Sequence, residues 1–287
     1  MSRIVAELAL DARAQVGEGP RWDTATQRLL WVDIHGGTVH RWDPSSGIDE
    51  VWKVGSFVGA LALTTSEKFV LALPHGPARW SPGSDPIPLV SLHDEGDGRR
   101  LNDAAVDPQG RLLFGTMGLG DRGTGDGRLY RYGDAGCSIV RRSIGLPNGI
   151  DWSPDGRTLY FADSLTGRVD GIPYDGDDPV LPPATSSLTV PHGLPDGHTV
   201  DADGNIWVAL WSAGEVVCFS PDGRVIATVV VPVDTVTSCA FGGEGLDTLF
   251  ITTMLSPTEP DNPLAGGIFA CRPGAVGRLP NRMRLDD

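Results

Sequence analysis

Short runs of alternating apolar and polar residues, each ending in a tight turn, recur along the whole chain. The segments read WDTATQRLLWVDIHGGTVHRWD, LTTSEKFVLALPHGPARWS, VDPQGRLLFGTM with GRLYRYG, WSPDGRTLYFADSLTGRVDGIPYD, VDADGNIWVALWSAGEVVCFSPDG, and FGGEGLDTLFITTM with GGIFACR. Alternation of period two and a supply of Val, Ile, Leu, Trp, Tyr and Phe predict strands, and no helix-length stretch carries a 3.6 period. Asp-Pro-x-Gly and Pro-Asp-Gly close the runs: Pro presets φ, and Gly accepts the positive φ that a tight turn needs. A period of roughly 40–50 residues with about four strands is the pattern of a propeller blade. Six such units take up almost all of the chain. The predicted fold is therefore all-β, a six-bladed β-propeller in a single domain over residues 1–287. Residues 3–10 (RIVAELAL) are left over as one strand, expected to complete the last blade and close the ring.

The turns also supply a ruler. Counting from the turn openers Asp23, Thr64, Asp107, Ser153, Asp201 and Gly242, the residues five positions upstream are Glu18, Gly59, Asn102, Asn148, Asp196 and Thr237. They precede the strand of each blade that should line the central channel. An ordinary β core would place apolar or small residues there, yet four of the six are Glu, Asn, Asn and Asp. Converging carboxylates and amides near a buried axis are costly without a cation or a dense hydrogen-bond network. Calcium and similar hard divalent cations take this oxygen set. Repeated Asn-Gly and Asp-Gly could instead be mere turn chemistry, but Glu18 has no special turn role, which favours the metal site.

Composition narrows the partners. With Lys and Arg at 23 against Asp and Glu at 37, the chain carries a net charge of −14, so no basic face for nucleic acid is expected. No run is apolar enough for a secretory h-region or a membrane span, which gives the expectation of a cytoplasmic protein with no membrane partner. Cys218, Cys239 and Cys271 lie in strand-like apolar runs and read as reduced packing residues, and no C-x-x-C spacing occurs. Gly118 to Gly123 matches G-x-G-x-x-G, but residues 128–132 then read as a strand, not the helix a dinucleotide site needs. Asp201-Ala-Asp203-Gly204 opens like an EF-hand loop, but Ile206 and Ser212 stand where Gly and Glu belong, so it is a turn. Trp22, Trp31, Trp152 and Trp207 are expected between blades, and Trp211 at the pocket rim. His192 and His198 flank Asp196 and could edge the pocket, although surface or turn positions are the commoner fate of such residues.

GEGPRWD, LLWVDI, RRLNDAAVDPQGRLLFGTM, LPNGIDWSPDG, LPDGHTVDADGNIWVALW and TSCAFGG, in this order over residues 16–269, resemble the SMP-30/gluconolactonase/regucalcin family. The resemblance implies a six-bladed propeller with one divalent cation in the channel and hydrolysis of a sugar lactone. It implies that Glu18, Asn148 and Asp196 are the metal ligands, with Asp196 also the general base, and that Arg100 and Asn102 contact the substrate. The ruler reaches Glu18, Asn102, Asn148 and Asp196 without the family; Arg100 and the division of roles come from the resemblance. Calcium is the first expectation for the ion, with zinc, magnesium or manganese as alternatives, and the protein is expected to act as a monomer on a small-molecule sugar lactone. One departure stands out: animal relatives carry a Glu on the loop before the G-A-L-Y strand that reaches towards substrate. This chain has GLGDRGTGDGRLY there, with Asp121 and Asp126 as weak candidates for a lid contact. Two rival readings are a non-catalytic calcium-binding or interaction propeller, and a hydrolase of the same fold acting on other esters or organophosphates.

Overall fold

The computed structural model describes residues 2–55, 57–92, 98–119 and 125–285. The described strands form six sheets of four or five strands, and each sheet runs outward from an inner strand. The inner strands are Gly17–Asp23, Leu61–Leu63, Arg99–Val106, Pro147–Trp152, Leu194–Val200 and Val236–Gly242. Each inner strand packs against the next and the sixth packs against the first, so the fold is a closed six-bladed β-propeller. A 3-10 turn at Ser164–Thr166 is the one helical element among the described residues.

The turn openers work as their chemistry predicts. Asp107 Oδ1 accepts the backbone N–H of Gln109 and of Arg111, while Gly110 takes φ +84°. Asp201 likewise caps Asp203 and Asn205 and accepts a hydrogen bond from Trp207 Nε1–H, so both of its oxygens are taken up by the turn and the strand that follows. The alternating apolar positions meet between blades: six buried clusters form, and each joins one blade to its neighbour. Trp22 and Trp31 pack between the sixth and first blades, Trp152 between the third and fourth, and Trp207 between the fifth and sixth.

Ring closure differs from the single strand expected. The leftover segment splits at Ala6, whose N–H donates to Val230 O. Ser2–Val5 runs parallel to Val225–Val230 as a fifth strand on the fifth blade, while Glu7–Leu10 pairs antiparallel with Ile268–Cys271 and completes the sixth. The reason lies in the available edges: both outer edges hold unpaired backbone groups, and a chain crossing from one blade to the next satisfies both. Deleting residues 1–10 is thus expected to lower Tm more than deleting residues 1–5, because only the longer deletion opens the sixth blade. Equal Tm values for the two truncations in calorimetry would contradict this closure.

The sequence also carried no sign of what closes the ring's underside. Residues 276–284 cross beneath it and touch every blade: Val276 O and Gly277 N bond to Ala202 and Leu246, and Arg278 pairs with Asp151 at 2.8 Å. Asn281 bonds to Val106 O, Arg282 pairs with Asp23 at 2.6 Å and bonds to Thr64 O, and Met283 pairs with the second blade.

Candidate functional site

Five of the six inner strands slip register near their N-terminal ends. The irregularities fall at Glu18/Arg21, Leu101/Ala104, Asn148/Ile150, Pro195/His198 and Val236/Ser238, which bracket the ruler residues. A bulge re-aims a side chain that regular pleating would send elsewhere. Here it turns one polar residue per strand into the channel mouth. Gly19, at φ +54°, supplies the backbone freedom for the first bulge. Gly149 is needed for space, since a Cβ there would lie 2.1 Å from His198 Nδ1.

Glu18, Arg100, Asn102, Asn148, Asp196 and Thr237 line one cavity of about 160 Å³ at this end of the ring. The sixth ruler position, Gly59, leaves room for the backbone carbonyls of Leu101 and Asn102, which a Cβ would meet at 2.6 and 2.5 Å. A chain of hydrogen bonds orients the amides. Asn102 Nδ2 donates to Pro147 O and to Asn148 Oδ1, both at 2.8 Å, and Asn148 Nδ2 donates to Ser164 Oγ at 2.9 Å. Ser164 Oγ in turn donates to Pro195 O, beside Asp196. The Asn148 oxygen is thereby turned towards Asn102, and Asn102 Oδ1 is the acceptor this chain of bonds leaves unused.

The electrostatics are those of crowded carboxylates. Burial, then the nearby Asp103 carboxylate, pushes Glu18 up to about 8, although Gly19 N–H donates to its Oε2. Burial and the facing Glu18 carboxylate raise Asp196 well above the ordinary carboxylate range. Asp103, beneath them, is also raised by burial, which the Arg21 guanidinium partly offsets. Arg21 anchors there by donating to Pro20 O and Ala104 O. Arg100 is lowered by burial to about 10, held up by Glu18 and Asp196, and stays cationic at neutral pH.

Asp103, Arg21, Ser164 and His35 were not singled out from sequence. Only Asp103 carried a signal, as the neighbour of Asn102; the others arrive from separate strands and turns. Trp211 lines the cavity as expected, with Nε1 3.4 Å from Met254 Sδ. His192 is exposed beside Glu215. His198 is neither on the surface nor in a turn: it is buried and faces a separate cavity of about 90 Å³ at the underside, with Arg21, Asp151 and Arg278. Asp196 and His198, on either side of the register slip in this strand, thus line two different cavities. Asp126 pairs with Arg99 instead of reaching the cavity, and Asp121 lies outside the described residues. Among the described residues no three His, Cys, Asp or Glu side chains converge on one point, so the expected ligand set reaches three only through the Asn148 amide.

Fold and site together define a six-bladed propeller with an acid-and-amide cluster at one channel mouth. The chain belongs to the SMP-30/gluconolactonase/LRE-like family, whose pattern matches residues 16–255. It is 34% identical to regucalcin of Xenopus laevis, with 94% of each chain covered. It is 32% identical to a pentonolactonase of Haloferax volcanii, again with 94% of each covered. Among solved structures it superposes with a TM-score of 0.89 and 28% identity on regucalcin of Agrobacterium tumefaciens, described as a calcium-binding protein, over 99% of this chain and 100% of that one.

Proposed function

We propose that this protein opens a lactone ring by adding water, using a divalent cation held by Glu18, Asn148 and Asp196. The observation that carries the reading is the Glu18–Asp196 pair on the cavity floor, Glu18 buried and Asp196 half-buried, with the Arg100 guanidinium near both. Two carboxylates buried together without a cation or a shared proton are unfavourable, and with one amide oxygen they make a hard donor set suited to calcium, magnesium or manganese. Zinc is compatible but less matched to an all-oxygen set. When bound, the cation supplies Lewis acidity at the lactone carbonyl, stabilising the negative charge that develops as water adds.

The chain's own residues do the rest. An Asp196 carboxylate oxygen takes a proton from the attacking water as the new C–O bond forms. The ring C–O bond then breaks, and that proton passes to the departing ring oxygen. No side chain forms a covalent bond to substrate. Arg100 and Asn102 Oδ1 orient the substrate, a fork of donors and a single acceptor at the edge of the floor. The pentonolactonase relative acts, by its name, on a pentonolactone, a sugar lactone.

Acid release from a panel of lactones, followed before and after chelation, tests the reading. Activity should vanish with the metal and return on reconstitution, and elemental analysis should find about one ion per chain at full activity. Turnover that survives complete chelation would exclude the Lewis-acid route, and a protein that binds calcium but opens no lactone would favour the non-catalytic propeller.

A further inference from the structure

His35 reaches the cavity from a turn that the first blade holds in one shape. The turn joins Arg28–Asp33 to Thr38–Trp42. Asp33 fastens it: Oδ1 accepts the backbone N–H of Val16 and of Gly36, each at 3.0 Å, and Oδ2 accepts that of Gln15 at 2.9 Å. Gly37 N–H closes the turn on Asp33 O, with Gly37 at φ +63°. Gly36 is needed for space, since a Cβ there would lie 2.6 Å from Asp33 Oδ2. The Asp33 carboxylate is thereby committed to backbone. The His35 imidazole is steadied by packing, edge-on to Phe57 with ring centroids 5.3 Å apart. It lines the same cavity as Arg100 and is exposed, which places it at the rim.

Its neighbours set its charge. Partial burial, then the Arg100 guanidinium, lower its pKa against the opposing pull of Asp33, so the ring is neutral at neutral pH. A neutral imidazole carries one N–H donor and one lone-pair acceptor, whereas a guanidinium can only donate. A substrate hydroxyl has a proton to give and lone pairs to receive one. Arg100 serves the second need, and His35 beside it can serve the first. The carboxylates and amides of the cavity lie on the floor with the proposed cation; His35 presents its acceptor away from them, where the part of a lactone remote from its ester group would lie. We infer that His35 is a specificity-determining residue, its imidazole accepting a hydrogen bond from a substrate hydroxyl to which Arg100 donates, and that the substrate class is a lactone carrying a free hydroxyl outside its ester group. This rests on the lactone-opening reading above.

The experiment compares kcat and KM of the metal-replete full chain on glucono-δ-lactone and a pentono-γ-lactone with those on δ-valerolactone and γ-butyrolactone, the same rings without hydroxyls. The unsubstituted protein should prefer the hydroxylated member of each pair. His35→Phe keeps an aromatic ring against Phe57 but removes both nitrogens. It should lower the hydroxylated-to-bare ratio of kcat/KM by about three- to tenfold, the loss of one hydrogen bond between neutral groups, and chiefly by raising KM for the hydroxylated lactones. His35→Leu, which also lacks an acceptor, should lower the ratio similarly, so the test does not hang on the folding of one variant. His35→Gln, which keeps an acceptor and a donor, should recover most of it. A ratio that both nitrogen-free variants leave unchanged, or a Gln variant no better than they are, overturns the inference. Bare lactones opened as well as hydroxylated ones by the unsubstituted protein also overturn it, while leaving lactone opening intact. If none of the four is opened, the lactone reading fails and the inference falls with it.

Discussion

Replacing Asp196 by alanine is expected to remove metal binding and turnover together, whereas Asn102→Ala should separate them. Asp196 is the one residue proposed both to hold the cation and to accept the proton, and loss of a general base alone is worth roughly 10²–10⁴-fold in rate. Asn102 acts differently. Its Nδ2 orients Asn148 Oδ1, so removing it disturbs a proposed ligand without deleting one. Loss of such an orienting partner typically weakens metal affinity or activity by about 10–100-fold. Arg100→Ala should spare the metal and act on the substrate side. Calorimetric metal titration beside lactone hydrolysis distinguishes the three. If Asn102→Ala loses the metal as completely as Asp196→Ala, Asn102 is itself a ligand; if Arg100→Ala opens lactones normally, the substrate lies elsewhere in the channel. Asp196→Asn adds an independent check: in metal-free protein above about pH 8, where Glu18 ionises, it removes the repulsion between the two carboxylates and should raise Tm, since crowded like charges destabilise the fold that holds them.

Truncating the chain before residue 276 should destabilise the whole ring, since one segment bonds to all six blades. The severest local loss falls at Asp151, which keeps its hydrogen bonds to the backbone of Trp152 and Val200 but loses the Arg278 guanidinium, and at Asp23, which loses Arg282. Hydrogen bonds to a charged group contribute about 1.5–3 kcal/mol each. For a chain of this size, Arg278→Met alone should then lower Tm by roughly 3–10 °C, and the truncation by more. Calorimetry of both variants checks this, and a truncated protein that melts like the full chain would show the segment to be a passive appendage. Hydrogen exchange should quicken first at the lower ends of the inner strands, where the segment bonds to Val106 and Val200.

Much of the fold was legible in the sequence because its determinants are local. Alternation sets which face of a strand is buried, and an Asp followed by Pro and Gly makes its turn with its own side chain, as Asp107 does. Those turns recur once per blade, so counting from them locates the inner strands and the residues Glu18, Asn102, Asn148 and Asp196 at the channel mouth. Repetition converts a local signal into a position around an axis. The tertiary structure alone decided what depends on residues distant in the chain. It split residues 2–10 between two blades, because both edges needed partners that only the closed ring brings together. It set Arg21 close to Asp103, 82 positions apart in sequence, and placed Asp196 and His198, only two positions apart, against different cavities. It drew residues 276–284 across the underside by contacts with all six blades, contacts that leave no periodicity to read. It also gathered Met117, Trp211 and Met254 from three blades into one wall of the cavity, a grouping set by packing geometry and not by residue type.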